Sequence, residues 1–283
     1  MGRPVRSLAL IGSALALVSV DAVGQLELSG RLENNVVLLF EPVVVNLRIR
    51  NRTSEPITFG PRGDLMPVFY AERRPGYPVR KTGVAVEIPE TTLRPHERTT
   101  LKVDISLAFE FKETGPYTIH AGMKHGPDYY QTGRLLLEVV PGFEVARLEV
   151  ELPNAGGERR DYRLLSLGRD SAMRLFIRVD DRQEGLCYGV HDLGRLLQNS
   201  APILETDAAG RAHALHRSGP AQFTHTIHEP SGRQVGKTLY SSGVRVARLE
   251  PTVDGDLEVR GVQEDESDRS GNRPAIRTFD PFQ

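Results

Sequence analysis

The chain has no tryptophan and a single cysteine, Cys187, among its 283 residues. One thiol excludes an intrachain disulfide, so packing must hold the fold. Cys187 reads as a small buried hydrophobe in a strand, the alternative being a free thiol that pairs between chains. The lack of tryptophan disfavours sugar-stacking platforms, although eight tyrosines remain. An excess of charge is missing too. Thirty-six basic residues face 37 acidic ones, for a formal net charge of -1. No global field then favours nucleic acid, and none is expected as a partner.

Catalytic signatures are equally scarce. Ser166, Ser171 and Ser218 lack a Gly-x-Ser-x-Gly elbow. Cys187 has His191 four residues on, without a surrounding nucleophile signature. There is no phosphate loop and no dinucleotide fingerprint on a strand–helix junction. No cofactor is expected. After residue 24, no apolar run approaches the ~18 residues that a membrane span needs.

What is present begins at the N-terminus. Arg3 and Arg6 precede an apolar run from Leu8 to Val20, which ends at Ala22-Val23-Gly24. A positive segment, a short apolar segment and a small-x-small site form the pattern of a cleavable signal peptide. Residues 1–24 are expected to be removed, leaving Gln25 first in an exported protein, periplasmic or secreted. No cysteine stands at the cleavage site to carry a lipid.

Beyond the leader the dominant period is two. Val43, Val45, Leu47 and Ile49 alternate with Val44, Asn46, Arg48 and Arg50, and Leu101, Val103, Ile105 and Leu107 with Lys102, Asp104 and Ser106. Tyr117, Ile119, Ala121 and Met123 repeat the pattern, as do Leu135, Leu137 and Val139. Such alternation marks strands with one buried and one wetted face. Glu41-Pro42, Glu55-Pro56, Gly60-Pro61, Arg94-Pro95, Gly115-Pro116 and Gly126-Pro127 punctuate them. The expected fold class is all-β.

Residues 25–141 resemble an immunoglobulin-like sandwich of the kind common in exported bacterial proteins. Three stretches carry the resemblance: Glu41 to Asn51, the Leu93-Arg94-Pro95-His96-Glu97 turn, and Phe111 followed by Gly115 to Ala121. The last is similar to the tyrosine-bearing penultimate strand of such folds. The resemblance implies a fold and no activity.

Pro141-Gly142 is the expected boundary, with a second, smaller antiparallel β-domain over 142–262. Leu175, Ile177 and Val179 mark one strand, and Val190–Leu197 is open between a helical turn and a strand. Regular strands are expected at 202–207, 211–217, 222–228 and 234–240. Asp254-Gly255 is a hairpin signal. This meander resembles one to one-and-a-half blades of a β-propeller. Too few residues remain to close a ring, so a small sheet or sandwich packed on the first domain is expected. Assembly of blades between chains is the variant. Residues 263–283 are polar and read as a flexible tail.

Two groups are candidate sites. The stretch Arg73-Arg74-Pro75-Gly76-Tyr77-Pro78-Val79-Arg80-Lys81 is a cationic, Pro/Gly-rich loop, and loops on rigid sandwiches often bind partners. Arg73, Arg74, Tyr77, Arg80 and Lys81 are its candidate binding residues. His213, His216, His225 and His228 form two His-x-x-His pairs on adjacent strands and are candidate metal ligands. Residues three apart on a strand point to opposite sides, which argues against one four-histidine site. Two imidazoles can still meet across the strands, with Asp207 or Glu229 as a third ligand. Asp180-Asp181 reads as an exposed strand end, Asp254-Gly255-Asp256 as turn chemistry, and Asn51-Arg52-Thr53 as a strand-end turn rather than a glycosylation acceptor.

These readings favour a non-catalytic binding or assembly module of the cell envelope, with protein or envelope polymer as partner. A metal-binding protein or metal-dependent enzyme built on the histidines is the alternative, and a proteinase-inhibitor-like sandwich is another. The sequence leaves the oligomeric state undetermined.

Overall fold

A computed structural model of the protein describes residues 25–63, 65–153, 156–241 and 246–264. The leader, and the tail after Glu264, lie outside them. The described residues are all-β, without a helix, and the sheets are predominantly antiparallel.

The first eleven strands are β1 (Leu26–Leu32), β2 (Val36–Leu38), β3 (Val44–Asn51), β4 (Ile57–Phe59), β5 (Val68–Arg74), β6 (Tyr77–Pro78), β7 (Thr91–Leu93), β8 (Arg98–Asp104), β9 (Gly115–His125), β10 (Asp128–Gln131) and β11 (Leu135–Val140). One sheet has the order β1-β3-β8; a larger one runs β2-β11-β9-β5-β6, with β10 also on β9. The β2–β11 pairing is parallel. The two sheets share one apolar core. Val45, Leu47, Ile49, Leu101 and Val103 face it from the smaller sheet, and Phe69, Tyr117, Ile119, Ala121 and Leu137 from the larger. The alternating positions at 43–49 and 117–123 are all buried. The third alternation stops early. β8 ends at Asp104, whose carboxylate accepts from the Ser106 backbone and hydroxyl, and the turn leaves Leu107 exposed.

Pro141 and Gly142 separate β11 from the remaining strands. These are β12 (Phe143–Glu151), β13 (Arg159–Arg169), β14 (Ala172–Asp181), β15 (Leu186–Arg195), β16 (Ile203–Thr206), β17 (Ala212–Gly219), β18 (Gln222–His228), β19 (Gln234–Ser241), β20 (Arg248–Pro251), β21 (Leu257–Arg260) and β22 (Gln263–Glu264). Residues 190–195, open in sequence, are strand. β12 to β15 form a four-stranded meander, β16 to β19 a second sheet edged by β22, and β20–β21 a hairpin. Gln263 and Glu264, at the start of the expected tail, pair with Ser241 and Tyr240.

These elements stack in layers. One face of the four-stranded sheet meets the second sheet through Tyr162, Leu164, Leu175, Ile177 and Val179 against Ala212 and Ala214. Its other face packs Leu165, Phe176 and Val190 on Leu38 and Val140 of the first eleven strands. Leu175, Phe176 and Ile177 are therefore a continuous apolar run because both faces of β14 are covered. The outer face of the second sheet is capped by the hairpin, with Leu215 and Phe223 against Ala247, Leu249 and Val259.

Polar contacts reinforce the junction beside Leu38. Arg169 donates to both Glu41 carboxylate oxygens at 2.8 and 2.9 Å and to the Val36 carbonyl at 2.8 Å. Glu41 also accepts from the Leu38 backbone. Both side chains of the pair are buried.

Asp180 and Asp181 are buried as well, contrary to the exposed strand end expected. Arg163 and Arg178 pair with Asp180. Asp181 pairs with Arg160 at 2.9 Å and accepts from the Gln183 and Glu184 backbones. Arginines from neighbouring positions offset the cost of burying the carboxylates.

Candidate functional site

The cationic stretch forms the end of β5, the β5–β6 turn and the chain that follows. Gly76 adopts φ 81° at the turn, a left-handed conformation favourable to glycine. The four cations have different surroundings. Arg73 pairs with Glu113 and reaches the Thr114 carbonyl. Arg80 lies 3.9 Å from Glu110. Arg74 sits over the Tyr77 ring, 3.8 Å from its centroid, while the Lys81 ammonium is 5.7 Å from the centroid of Tyr70. Cations over aromatic faces remain available to an incoming anion.

This stretch borders an aromatic surface on the outer face of the larger sheet. Cross-strand neighbours Tyr70 and His120 stack at 5.0 Å with 16° between planes. The hydroxyls of Tyr129 and Tyr70 hydrogen-bond, which raises the Tyr129 pKa above its ordinary value. Tyr129 lies across Gly122, where any Cβ would overlap its hydroxyl. Tyr70, Tyr77, Tyr129 and Val68 are all exposed. Sequence reasoning found the loop but missed Tyr70, His120 and Tyr129. Tyr70 and His120 are on the wetted halves of alternating strands, and only the pairing of β5 and β10 with β9 brings them and Tyr129 together.

The four candidate histidines divide into pairs. In the β17–β18 ladder His213 lies opposite Ile227 and Leu215 opposite His225. His213 and His225 are therefore diagonal neighbours on one face. Their rings stack at 5.2 Å, and Nδ1 of His213 is 3.1 Å from Nε2 of His225. Nε2 of His213 is 3.1 Å from Oδ2 of Asp207 and 3.7 Å from Oδ1 of Asp256. Arg211 bonds both carboxylates, at 2.6 and 3.1 Å. Burial works to raise the Asp207 pKa, but bonds from the Arg211 backbone, His213 and the Arg211 side chain outweigh it and hold the carboxyl below its usual range. Burial pushes His225 down to about 4, assisted by His213.

His216 and His228 face the other way, into the space between the two sheets. His228 meets His191 of β15 with ring centroids 5.3 Å apart. Among the described residues, neither ring nitrogen of His228 has a hydrogen-bond partner. Burial lowers His216 to about 4 and His228 to about 3, and it also depresses His191. Glu229, the other acidic residue considered in sequence, instead pairs with Arg233. Asp256 was read as turn chemistry alone, because nothing in its local sequence says that the β20–β21 hairpin folds over His213.

Cys187 packs beside Leu165 and Phe176, whereas His191 contacts His228 on the opposite side of the four-stranded sheet. Burial pushes the Cys187 thiol up to about 12, so it stays protonated at neutral pH.

No protein-family model matches the chain, and no curated protein is significantly similar in sequence. Among solved structures, the sporulation control protein Spo0M from Bacillus subtilis aligns at 11% identity and TM-score 0.29, over 58% of this chain and 83% of its own. The periplasmic chaperone SfaE aligns at 11% identity and TM-score 0.26, over 75% and 96%. The YadV chaperone aligns at 10% identity and TM-score 0.22, over 76% and 100%. At these scores the likenesses assign no function. No helix among the described residues is long and apolar enough to cross a membrane.

Proposed function

We propose that the protein is a non-catalytic binding or assembly module of the cell envelope, acting on an acidic partner, protein or envelope polymer. The carrying observation is the exposed surface on the larger sheet: Tyr70 stacked on His120, Tyr129 beside them, and Arg74 and Lys81 over tyrosine rings. Aromatic faces offer contact area at low conformational cost, and the cations favour an anionic partner. An envelope location rests on the Arg3–Gly24 leader pattern.

In this reading the chain divides at Pro141-Gly142 into an immunoglobulin-like sandwich and a smaller β-domain. Two sheets sharing one core support the sandwich. So does Tyr117, whose hydroxyl donates to the Glu113 carbonyl four residues upstream at 2.7 Å, as in a tyrosine corner.

Affinity capture from the native envelope, with the wild type and an Arg74→Ala/Tyr77→Ala/Lys81→Ala variant, tests the proposal. A reproducible partner retained by the wild type and lost by the equally stable variant is expected. Equal capture by both removes this surface from the account.

A further inference from the structure

The His213 face carries an arrangement that the binding surface does not use. Asp207 and His213 are placed by the β16–β17 turn, and Asp256 by the β20–β21 hairpin. The hairpin is docked there by a hydrogen bond from the Ala208 backbone to the Gly255 carbonyl at 2.8 Å. Asp207 is fixed further, since its Oδ1 accepts from the Ala209 and Arg211 backbones, both at 2.9 Å. Tyr162 donates to the Gly210 carbonyl and pins the same turn to the neighbouring sheet.

One oxygen from each aspartate and Nε2 of His213 lie within 4.8 Å of one another. Around a tetrahedral ion with bonds of about 2.0–2.1 Å, ligand atoms sit about 3.3–3.4 Å apart. The separations of 3.1 and 3.7 Å from His213 to the two aspartates bracket that value. The second partners of these groups also fit. A metal-bound imidazole usually donates its other N–H to a fixed acceptor, and Nδ1 of His213 has Nε2 of His225 at 3.1 Å. In this structure Nε2–H of His213 donates to Asp207; with Nδ1–H turned to His225 instead, Nε2 would offer its lone pair to an ion in place of that proton. Arg211 holds Asp256 by Oδ2, leaving Oδ1 towards His213, and shares Oδ2 of Asp207 with His213. Two carboxylates against one guanidinium leave one net negative charge, which favours a cation between them. Imidazole and carboxylate together suit zinc and its neighbours.

We propose that Asp207, His213 and Asp256 bind a divalent transition-metal ion of the zinc type. His225 and Arg211 act as positioning residues, and the ion clamps the β20–β21 hairpin to the second sheet. His213 is fully buried and Asp256 half-exposed, so the ion enters from the hairpin side. Three protein ligands leave a fourth position for water.

The test is zinc titration of the untagged, metal-stripped full-length protein by calorimetry, with metal content measured after dialysis. One zinc per chain and a raised Tm are expected. Asp256→Asn, a change at a half-exposed side chain, should weaken binding at least tenfold. Asp254→Asn, on the same hairpin, should bind as the wild type does. Zinc should also shift the Nε2 resonance of His213 in imidazole ¹⁵N spectra. No stoichiometric zinc, undiminished binding by Asp256→Asn, or equal loss in Asp254→Asn would overturn the site and reduce these groups to an ion-pair cluster. None of these results bears on the Tyr70–Tyr77 surface, so the two proposals fail separately.

Discussion

At the residue scale, buried polar groups explain most of what alternation alone hides. Asn51 is fully buried at the end of β3. Its amide nitrogen donates to the carbonyls of Glu55, Leu93 and Arg94, and its oxygen accepts from the Thr53 backbone and hydroxyl. The sequon is thus a turn bracket, with its amide engaged in three contacts. Asn51→Ala leaves those carbonyls without their donor and should cost about 2–3 kcal/mol in urea unfolding. The histidines set the pH dependence. His216, His225 and His228 have folded pKa values near 4, 4 and 3 against an ordinary 6.5. The unfolded chain binds more protons between those values, so this stability is fully present above pH 6.5 and lost as the pH falls towards 4. Each histidine contributes a slope of about 1.4 kcal/mol per pH unit. Urea midpoints should fall steeply from about pH 6.5 to about pH 5, and His228→Leu should flatten the profile. Burial of these residues was not legible in sequence, where a histidine on a strand gives no sign of which sheet covers it. The Asp180-Asp181 reading failed similarly, because two of its arginine partners, Arg160 and Arg163, come from the paired strand β13, and only Arg178 is near in sequence, in β14 itself.

At the element scale, period two predicted most strands well, since one face of each is core and the other is wet. β16 to β19 fall close to the expected spans. The signal weakened where that assumption fails. β14 is covered on both faces, and β15 carries register shifts at two places that interrupt its alternation. Hairpin chemistry was legible: Gly255 has φ 81°. What Asp254-Gly255-Asp256 rests upon was not, because docking depends on the outer face of a distant sheet. A Cβ at Gly255 would lie 2.7 Å from Ala208, besides straining the backbone. Gly255→Ala should therefore destabilise by about 1–2 kcal/mol. Amide exchange in that variant should rise in β20 and β21 more than in β3 or β9.

At the scale of the whole molecule, the apolar contact of Leu38 and Val140 with Phe176, and the buried Glu41–Arg169 pair, join the regions on either side of Pro141-Gly142. The pair lies 128 residues apart in sequence, beyond the reach of any local pattern. Glu41→Gln leaves Arg169 buried with a weaker partner and should cost about 3 kcal/mol. It should separate one thermal transition into two, whereas a single unchanged transition would show that the pair does not couple the regions. The proposed function lives on the opposite side of the larger sheet's core, where Tyr77 projects from the β5–β6 hairpin. The most direct measurement is photo-cross-linking in native cells, with a photoreactive residue at position 77 and, for comparison, at the fully exposed position 253 of the distal hairpin. A reproducible adduct from position 77 that is absent from position 253 is expected. No adduct from position 77, or the same adducts from both, would contradict it.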